Sequence, residues 1–185
     1  RAAVYHGPNK VETADVPEPN PRPGTVKLKV GFNGICGTDL HEYYAGPIFI
    51  PTEPHALTGQ QMPLVLGHEF SGTVTEVGKG VTGTSVGDRV AIEPIYRCGH
   101  CAPCAAGNYN ICQQIGFHGL MSDGGMAEYT VVPADMVHPL PDNVSLELGA
   151  LVEPMSVAYH AATLGEVRPG DTAMVFGAGP IGIGL

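Results

Sequence analysis

The residues best able to do chemistry are cysteines, and four of the five crowd together: Cys98, Cys101, Cys104 and Cys112, spaced C-x2-C-x2-C-x7-C. Two-residue gaps let a chain fold back so that successive thiolates face one centre, and a more distant fourth closes a tetrahedron. Zinc accepts four thiolates without redox chemistry and lends folding energy to a lobe too small to bury a core. A structural zinc is the expectation for this lobe, residues 97–113. A bacterial-type iron–sulfur cluster wants a shorter last gap and a Pro after its final Cys, and Gln113 stands there instead. Disulfides need an oxidising compartment, and an odd cysteine count gives them no support. His100 reads as a spacer.

Two further constellations are weaker when taken singly. Cys36 opens Cys36-Gly37-Thr38-Asp39-Leu40-His41, and Gly67-His68-Glu69 begins the pattern G-H-E-x2-G-x5-G-x2-V that ends at Val81. A lone Cys is commonly a small buried hydrophobe, and Thr38 or Asp39 is an equally good helix cap. On a regular strand His68 and Glu69 would point to opposite faces. Near the end, Gly177-Ala178-Gly179-Pro180-Ile181-Gly182 follows the apolar run Thr172–Phe176. That is the strand-then-glycine order of a dinucleotide-binding turn, with Gly177, Gly179, Pro180 and Gly182 as its cofactor-facing residues.

The elements that must position these groups read mainly as β. Ala2–His6 and Val11–Val16 flank a Gly-Pro-Asn turn, and Val26, Leu28, Val30 and Phe32 alternate with Lys27, Lys29 and Gly31. Phe70–Val77, Arg89–Ile92 and Glu128–Val132 complete the strand candidates. A short helix is expected over Thr38–Tyr44, and a long Pro-rich loop over Ala45–Pro63, a length that is usually functional. Ser145 caps a short helix over Leu146–Val152. Pro154 breaks it or starts another that runs to Leu164, with Gly165 as C-cap.

Bulk properties narrow the class. The 185 residues are 43% hydrophobic and 15% charged, with 26 Gly and 17 Pro, so a folded core with many turns is expected. A net charge of −9 without a basic run argues against nucleic-acid and membrane-surface partners. No charged-then-apolar leader opens the sequence and no apolar stretch could span a bilayer, so cytoplasm is the expected location.

Taken together and in this order, the Cys36 segment, the Gly67–Val81 pattern and the four-cysteine lobe resemble the zinc-containing medium-chain alcohol and polyol dehydrogenases. The likeness covers nearly the whole chain. Cys36–Glu69, with Gly46-Pro47-Ile48-Phe49-Ile50-Pro51 inside it, is most similar to the 2,3-butanediol dehydrogenases, with the sorbitol dehydrogenases close by. The resemblance implies a GroES-like, partly open β-barrel catalytic domain over residues 1–165, and the truncated first strand of an NAD(P)-binding Rossmann domain over 166–185. It also implies two zincs per chain and NAD or NADP as hydride carrier.

Within that family the catalytic zinc takes Cys36, His68 and a third ligand. Liver-type enzymes use a second Cys, which this sequence does not have to spare. Glu153 stands where the polyol branch carries a glutamate, with Glu69 as the exchanging or supporting alternative. A carboxylate at the start of a helix is also favoured by the helix dipole, and the two roles are compatible. Thr38 and His41 match the family's proton relay, and Asp39 would orient His68. The activity so implied is oxidation of a secondary alcohol, a vicinal diol or polyol, to a ketone by an enzyme that is a homo-oligomer when intact. These 185 residues alone are expected to be inactive. A threonine or other zinc alcohol dehydrogenase carries the same ligands, and a non-catalytic zinc-stabilised module would share the lobe.

Overall fold

At Thr25 the chain enters the longest of its strands. The computed structural model describes residues 1–185. Its strands are β1 (Ala2–Gly7), β2 (Lys10–Ala14), β3 (Thr25–Asn33), β4 (Leu64–Val65), β5 (Phe70–Val77), β6 (Arg89–Ile92), β7 (Ile95–Tyr96), β8 (Gly116–Phe117), β9 (Tyr129–Pro133) and β10 (Val137–Pro139). Its helices are α1 (Gly37–Ala45), α2 (Ala102–Ala105), α3 (Leu146–Gly149), α4 (Val152–Leu164) and α5 (Pro180–Gly184). None is long and apolar enough to cross a membrane.

The larger sheet runs β10-β6-β5-β3-β9, and a smaller one runs β2-β1-β4. The two outer strands of the larger sheet do not pair, which leaves the barrel partly open as expected. Val26 and Leu28 on β3 pack with Phe70, Val74, Val90 and Val132 to form its core. Tyr5, Leu64, Leu66 and Ile50 form a second core beneath the smaller sheet. Each such side chain contributes about 1.5–3 kcal/mol on burial.

The expected alternation along β3 holds at Val26 and Leu28 and fails at two places. Lys27 is only 3% exposed, because Glu18 from the Pro-rich connection and Glu76 from β5 both accept hydrogen bonds from its ammonium. A register shift between Val30 and Phe32 ends the period and leaves Phe32 48% exposed.

The helices after Ser145 follow their caps. Ser145 Oγ accepts from the Leu148 N–H at 3.2 Å, and the chain re-starts as α4 at Val152, with Pro154 in the first turn where no backbone donor is needed. The Gly165 N–H closes the far end on Ala161 O at 2.9 Å. The expectation of a strand over Thr172–Phe176 is corrected: the segment joins no ladder, and Phe176 is 91% exposed. A strand of the parallel kind needs neighbours for both its hydrogen bonds and its burial, and none lies alongside. The glycine turn after it leads directly into the five-residue α5.

One buried polar network joins β7 to β9. His118 is 1% exposed; its Nδ1 meets Tyr96 Oη at 2.9 Å and Ser122 Oγ at 3.1 Å, and its Nε2 meets Thr130 Oγ1 at 2.9 Å. Burial, reinforced by the charge of His68, pushes the imidazole down to about 3. The unfolded chain titrates near 6.5, so this residue's contribution is complete above that pH and is lost as pH falls toward 3, at up to about 1.4 kcal/mol per unit. Urea unfolding midpoints should therefore fall more steeply for the wild type than for His118→Gln between pH 7 and 4.5. Parallel slopes would show that the buried imidazole is not the acid-sensitive group.

Candidate metal centres

The first centre forms where one ladder ends. Asn33 on β3 faces Phe70 on β5, and just beyond that pair the Gly34 N–H donates to Glu69 O at 2.7 Å. A Cβ at Gly34 would meet Glu69 Oε2 at 2.3 Å, so glycine is what lets the glutamate side chain lie across this strand end. Gly67, at φ +101°, is packed so that a Cβ would strike Asn33 Oδ1 and the Met126 backbone at 2.5 and 2.7 Å.

His68 and Glu69 lie outside the strands, Glu69 at a bend. The strict alternation of a regular strand does not apply there, and both side chains turn to Cys36. The ligand atoms of Cys36, His68 and Glu69 all fall within 4.8 Å of one another. Glu153 is not in that group. It sits half-buried in the first turn of α4, where burial raises it to about 7, with nearby His68 opposing the rise and Glu69 adding to it. Both carboxylates thus border the centre, and the geometry pairs Glu69, rather than Glu153, with Cys36 and His68.

Cys36 caps α1, and its N–H donates to Asp39 Oδ2 at 2.9 Å. The other oxygen of Asp39 lies 3.6 Å from His68 Nδ1, in a pocket where Asp39 is 3% and His68 5% exposed. Neither atom has another partner. That pairing leaves His68 Nε2 as the nitrogen free for a ligand role. Burial pushes up the Asp39 carboxyl against the opposing effects of His68 and the Cys36 N–H. Burial likewise raises the Cys36 thiol, opposed by Thr38. Thr38 Oγ1 is 3.6 Å from Cys36 Sγ. His41 lies one turn further along α1 on its exposed face, and no hydrogen bond joins it to Thr38.

Desolvated anionic donors that raise one another's pKa fit a cation, because a divalent ion reverses each of these penalties at once. Cys, His and carboxylate are the donor types zinc accepts.

The second centre is built from the lobe. Cys98 and Cys104 Sγ are 4.0 Å apart, Cys101 and Cys112 3.9 Å, and all four sulfurs lie within 4.8 Å of one another. Zinc–thiolate bonds of about 2.3 Å imply tetrahedron edges of about 3.8 Å, so the four sulfurs fit one ion and are too far apart for disulfides. The N–H groups of Gln113 and Cys104 pull the Cys101 thiol down, and that of Cys98 pulls down Cys112; burial and the neighbouring thiols push Cys104 up. His100 is exposed, its ring against Cys98 O. Arg97 ties the lobe to the barrel, its guanidinium 2.8 Å from Asp135 and 4.5 Å from the Tyr109 ring centroid.

With this architecture in place, residues 22–142 match the alcohol dehydrogenase GroES-like domain. The chain belongs to that family. It is 48% identical to (R,R)-butanediol dehydrogenase of Bacillus subtilis (strain 168), over 99% of this chain and 52% of that protein. The crystal structure of 2R,3R-butanediol dehydrogenase from Bacillus subtilis superposes with a TM-score of 0.93, again over 99% of this chain and 52% of the other. A cobalt- and zinc-bound thermostable alcohol dehydrogenase from Pyrobaculum aerophilum is 32% identical with a TM-score of 0.85, over 99% of this chain and 54% of the other. The chain spans about half the length of the curated relatives it matches.

Sequence reasoning did not single out Gly34, whose role depends on a partner 35 positions away at Glu69. Gly177, at φ +107°, and Gly179 lie in the turn before α5, Pro180 opens that helix, and Gly182 lies within it.

Replacing Cys112 by Ser should remove one zinc equivalent by atomic emission and speed proteolytic cleavage within residues 98–112. It should leave the other ion in place. Undiminished zinc content in this variant would reject four-thiolate ligation.

Proposed function

We propose that this chain is the metal-bearing part of a zinc-dependent alcohol or polyol dehydrogenase. The reaction interconverts a secondary alcohol, a vicinal diol such as 2,3-butanediol, and a ketone with NAD(H). The convergence of Cys36, His68 and Glu69 within 4.8 Å, backed by Asp39, carries this reading. The similarity to butanediol dehydrogenase supports the diol as substrate.

Cys36 and His68 supply the two fixed ligands, and a carboxylate supplies the third. The grouping with Cys36 and His68 supports Glu69 in that role, with Glu153, which feels the charges of both His68 and Glu69, as its exchange partner. Zinc held there would supply Lewis acidity at an alcohol oxygen, and a bound nicotinamide would supply the hydride acceptor. Asp39 Oδ1, 3.6 Å from His68 Nδ1, is placed to orient the ring by that nitrogen and leave Nε2 for the ion. The Thr38 hydroxyl beside Cys36 can accept the substrate's proton while donating its own, and His41 on the exposed face of α1 can discharge it to water. Cys98, Cys101, Cys104 and Cys112 hold a second, structural zinc. Residues 166–185 begin the nucleotide-binding domain, with Gly177, Gly179, Pro180 and Gly182 turning the chain toward the pyrophosphate. Five unpaired thiols suit a reducing compartment such as the cytoplasm.

The chain should hold two zinc ions, one removed by a mild chelator well before the other. Cys36→Ser should retain only the slowly removed ion, and Asp39→Asn should weaken the labile one about 10–100-fold. Glu69→Gln should weaken it more than Glu153→Gln. A single tightly held ion, unaffected by Cys36→Ser, would favour a zinc-stabilised module without a catalytic centre.

A further inference from the structure

His68 enters the first centre on a peptide with almost no room to move. The three residues before it, Val65, Leu66 and Gly67, are bonded rung by rung to the loop between β8 and β9. Val65 O accepts from the Gly124 N–H at 2.9 Å, while Leu66 O accepts from the Met126 N–H and Gly67 O from the Gly125 N–H, both at 2.8 Å. The Asp123 side chain completes the set, its Oδ1 accepting the Val65 N–H at 2.9 Å.

Glycines make that approach possible. A Cβ at Gly124 would lie 2.7 Å from Leu66 O and nearer still to Gly67 O. One at Gly119 would lie 2.9 Å from the Gly67 nitrogen and nearer still to the Gly67 carbonyl. Real Cβ atoms essentially never come within 3.0 Å of such neighbours. The carbonyl carbon and oxygen of Gly67 share one planar unit with the His68 nitrogen. Bare backbone at 119 and 124 therefore sets where that plane lies, and the plane sets where the His68 side chain begins.

The loop is itself pinned from behind. The His118 N–H donates to Pro94 O at 2.8 Å and the Gly119 N–H to Ser122 O at 2.9 Å. The buried contacts of His118 with Tyr96 and Ser122 hold its base. With the loop fixed, a methyl group added at its inner face is accommodated by moving the Gly67–His68 peptide. We infer that Gly119 and Gly124 are positioning residues for the first metal centre, a bare-backbone seat that fixes this peptide and through it the imidazole beside Cys36 and Glu69. The ligand role of that imidazole rests on the dehydrogenase reading above; the seat itself does not.

Matched alanine variants isolate the crowding. Gly80, at φ +83°, has open space around it, whereas Gly119, at φ +85°, is packed, so alanine carries the same backbone strain at both. In the metal-free chain, Gly119→Ala and Gly124→Ala should each shift the His68 ring resonances and speed amide exchange at Gly125 and Met126 by tenfold or more. Gly80→Ala should do neither. In the cobalt-loaded chain, chelator competition should show the Cys36-dependent ion held tenfold or more weakly in both seat variants, with the ion of the four-cysteine lobe unaltered. Should the glycine variants not fold, Asp123, an exposed position, keeps the test open. Asp123→Ala should shift the same ring resonances and weaken the same ion about threefold, and Asp123→Asn, which keeps an accepting oxygen, should restore both. His68 resonances and ion affinity in the seat variants that match Gly80→Ala overturn the seat, as does an Asp123→Ala chain equal to the wild type where those variants do not fold. A chain that holds no ion sensitive to Cys36→Ser removes the dehydrogenase reading and with it the ligand role, while the metal-free resonances still decide the seat.

Discussion

The ladder between β3 and β5 sets everything at the first metal centre. Cys36 lies three residues beyond Asn33, and His68 two residues before its partner Phe70, so the last rung places the two candidate ligands side by side. The register is not that of a plain hairpin. Two irregularities, between Lys27 and Leu28 and between Val30 and Phe32, adjust it along the way. Side chains alternate with a period of two, so a slip of one residue would turn Val26 and Leu28 out of the core and move His68 away from Cys36. Core packing and ligand convergence are thus selected by the same pairing.

At the end of that ladder, burial and charge work against one another. Cys36, Asp39 and Glu153 all have their neutral forms favoured by desolvation. The lobe repeats the pattern with sulfur, where backbone N–H groups favour thiolates at Cys101 and Cys112 while burial disfavours the one at Cys104. A divalent ion resolves both conflicts, by supplying the opposite charge that the protein itself withholds. On the proposed reading the barrel and the lobe would be most stable when loaded, with metal binding and folding linked.

Helix α1 joins the centre to its surroundings. It is short, and its inward face is acidic, so it contributes little hydrophobic burial. What it contributes is direction. One carboxylate ties its first turn to the ligands, and the other ties the following loop to its body. Such a face needs backbone donors to meet it, and they do so at both ends here, the Cys36 N–H at Asp39 and those of Ile48–Ile50 at Glu42.

The letters alone named the candidate donors and left the third one at the first centre open between Glu153 and Glu69. Four cysteines within one short stretch define a local centre, because two-residue gaps permit convergence whatever lies around them, and the β character of Phe70–Val77 and Arg89–Ile92 follows from local period and turns. The Ser145 cap and the Gly165 end of α4 were equally local. What only the tertiary structure decided was non-local: that His68 and Glu69 leave the strand at a bend and share a face, that Lys27 is buried between two glutamates, and that Gly34 must be bare beneath Glu69. Thr172–Phe176 shows the converse, since a strand-like composition produces no strand without a neighbour to complete its hydrogen bonds. In each case the deciding partner lies far away in the chain, and spacing along the sequence carries no record of which distant backbone will arrive alongside.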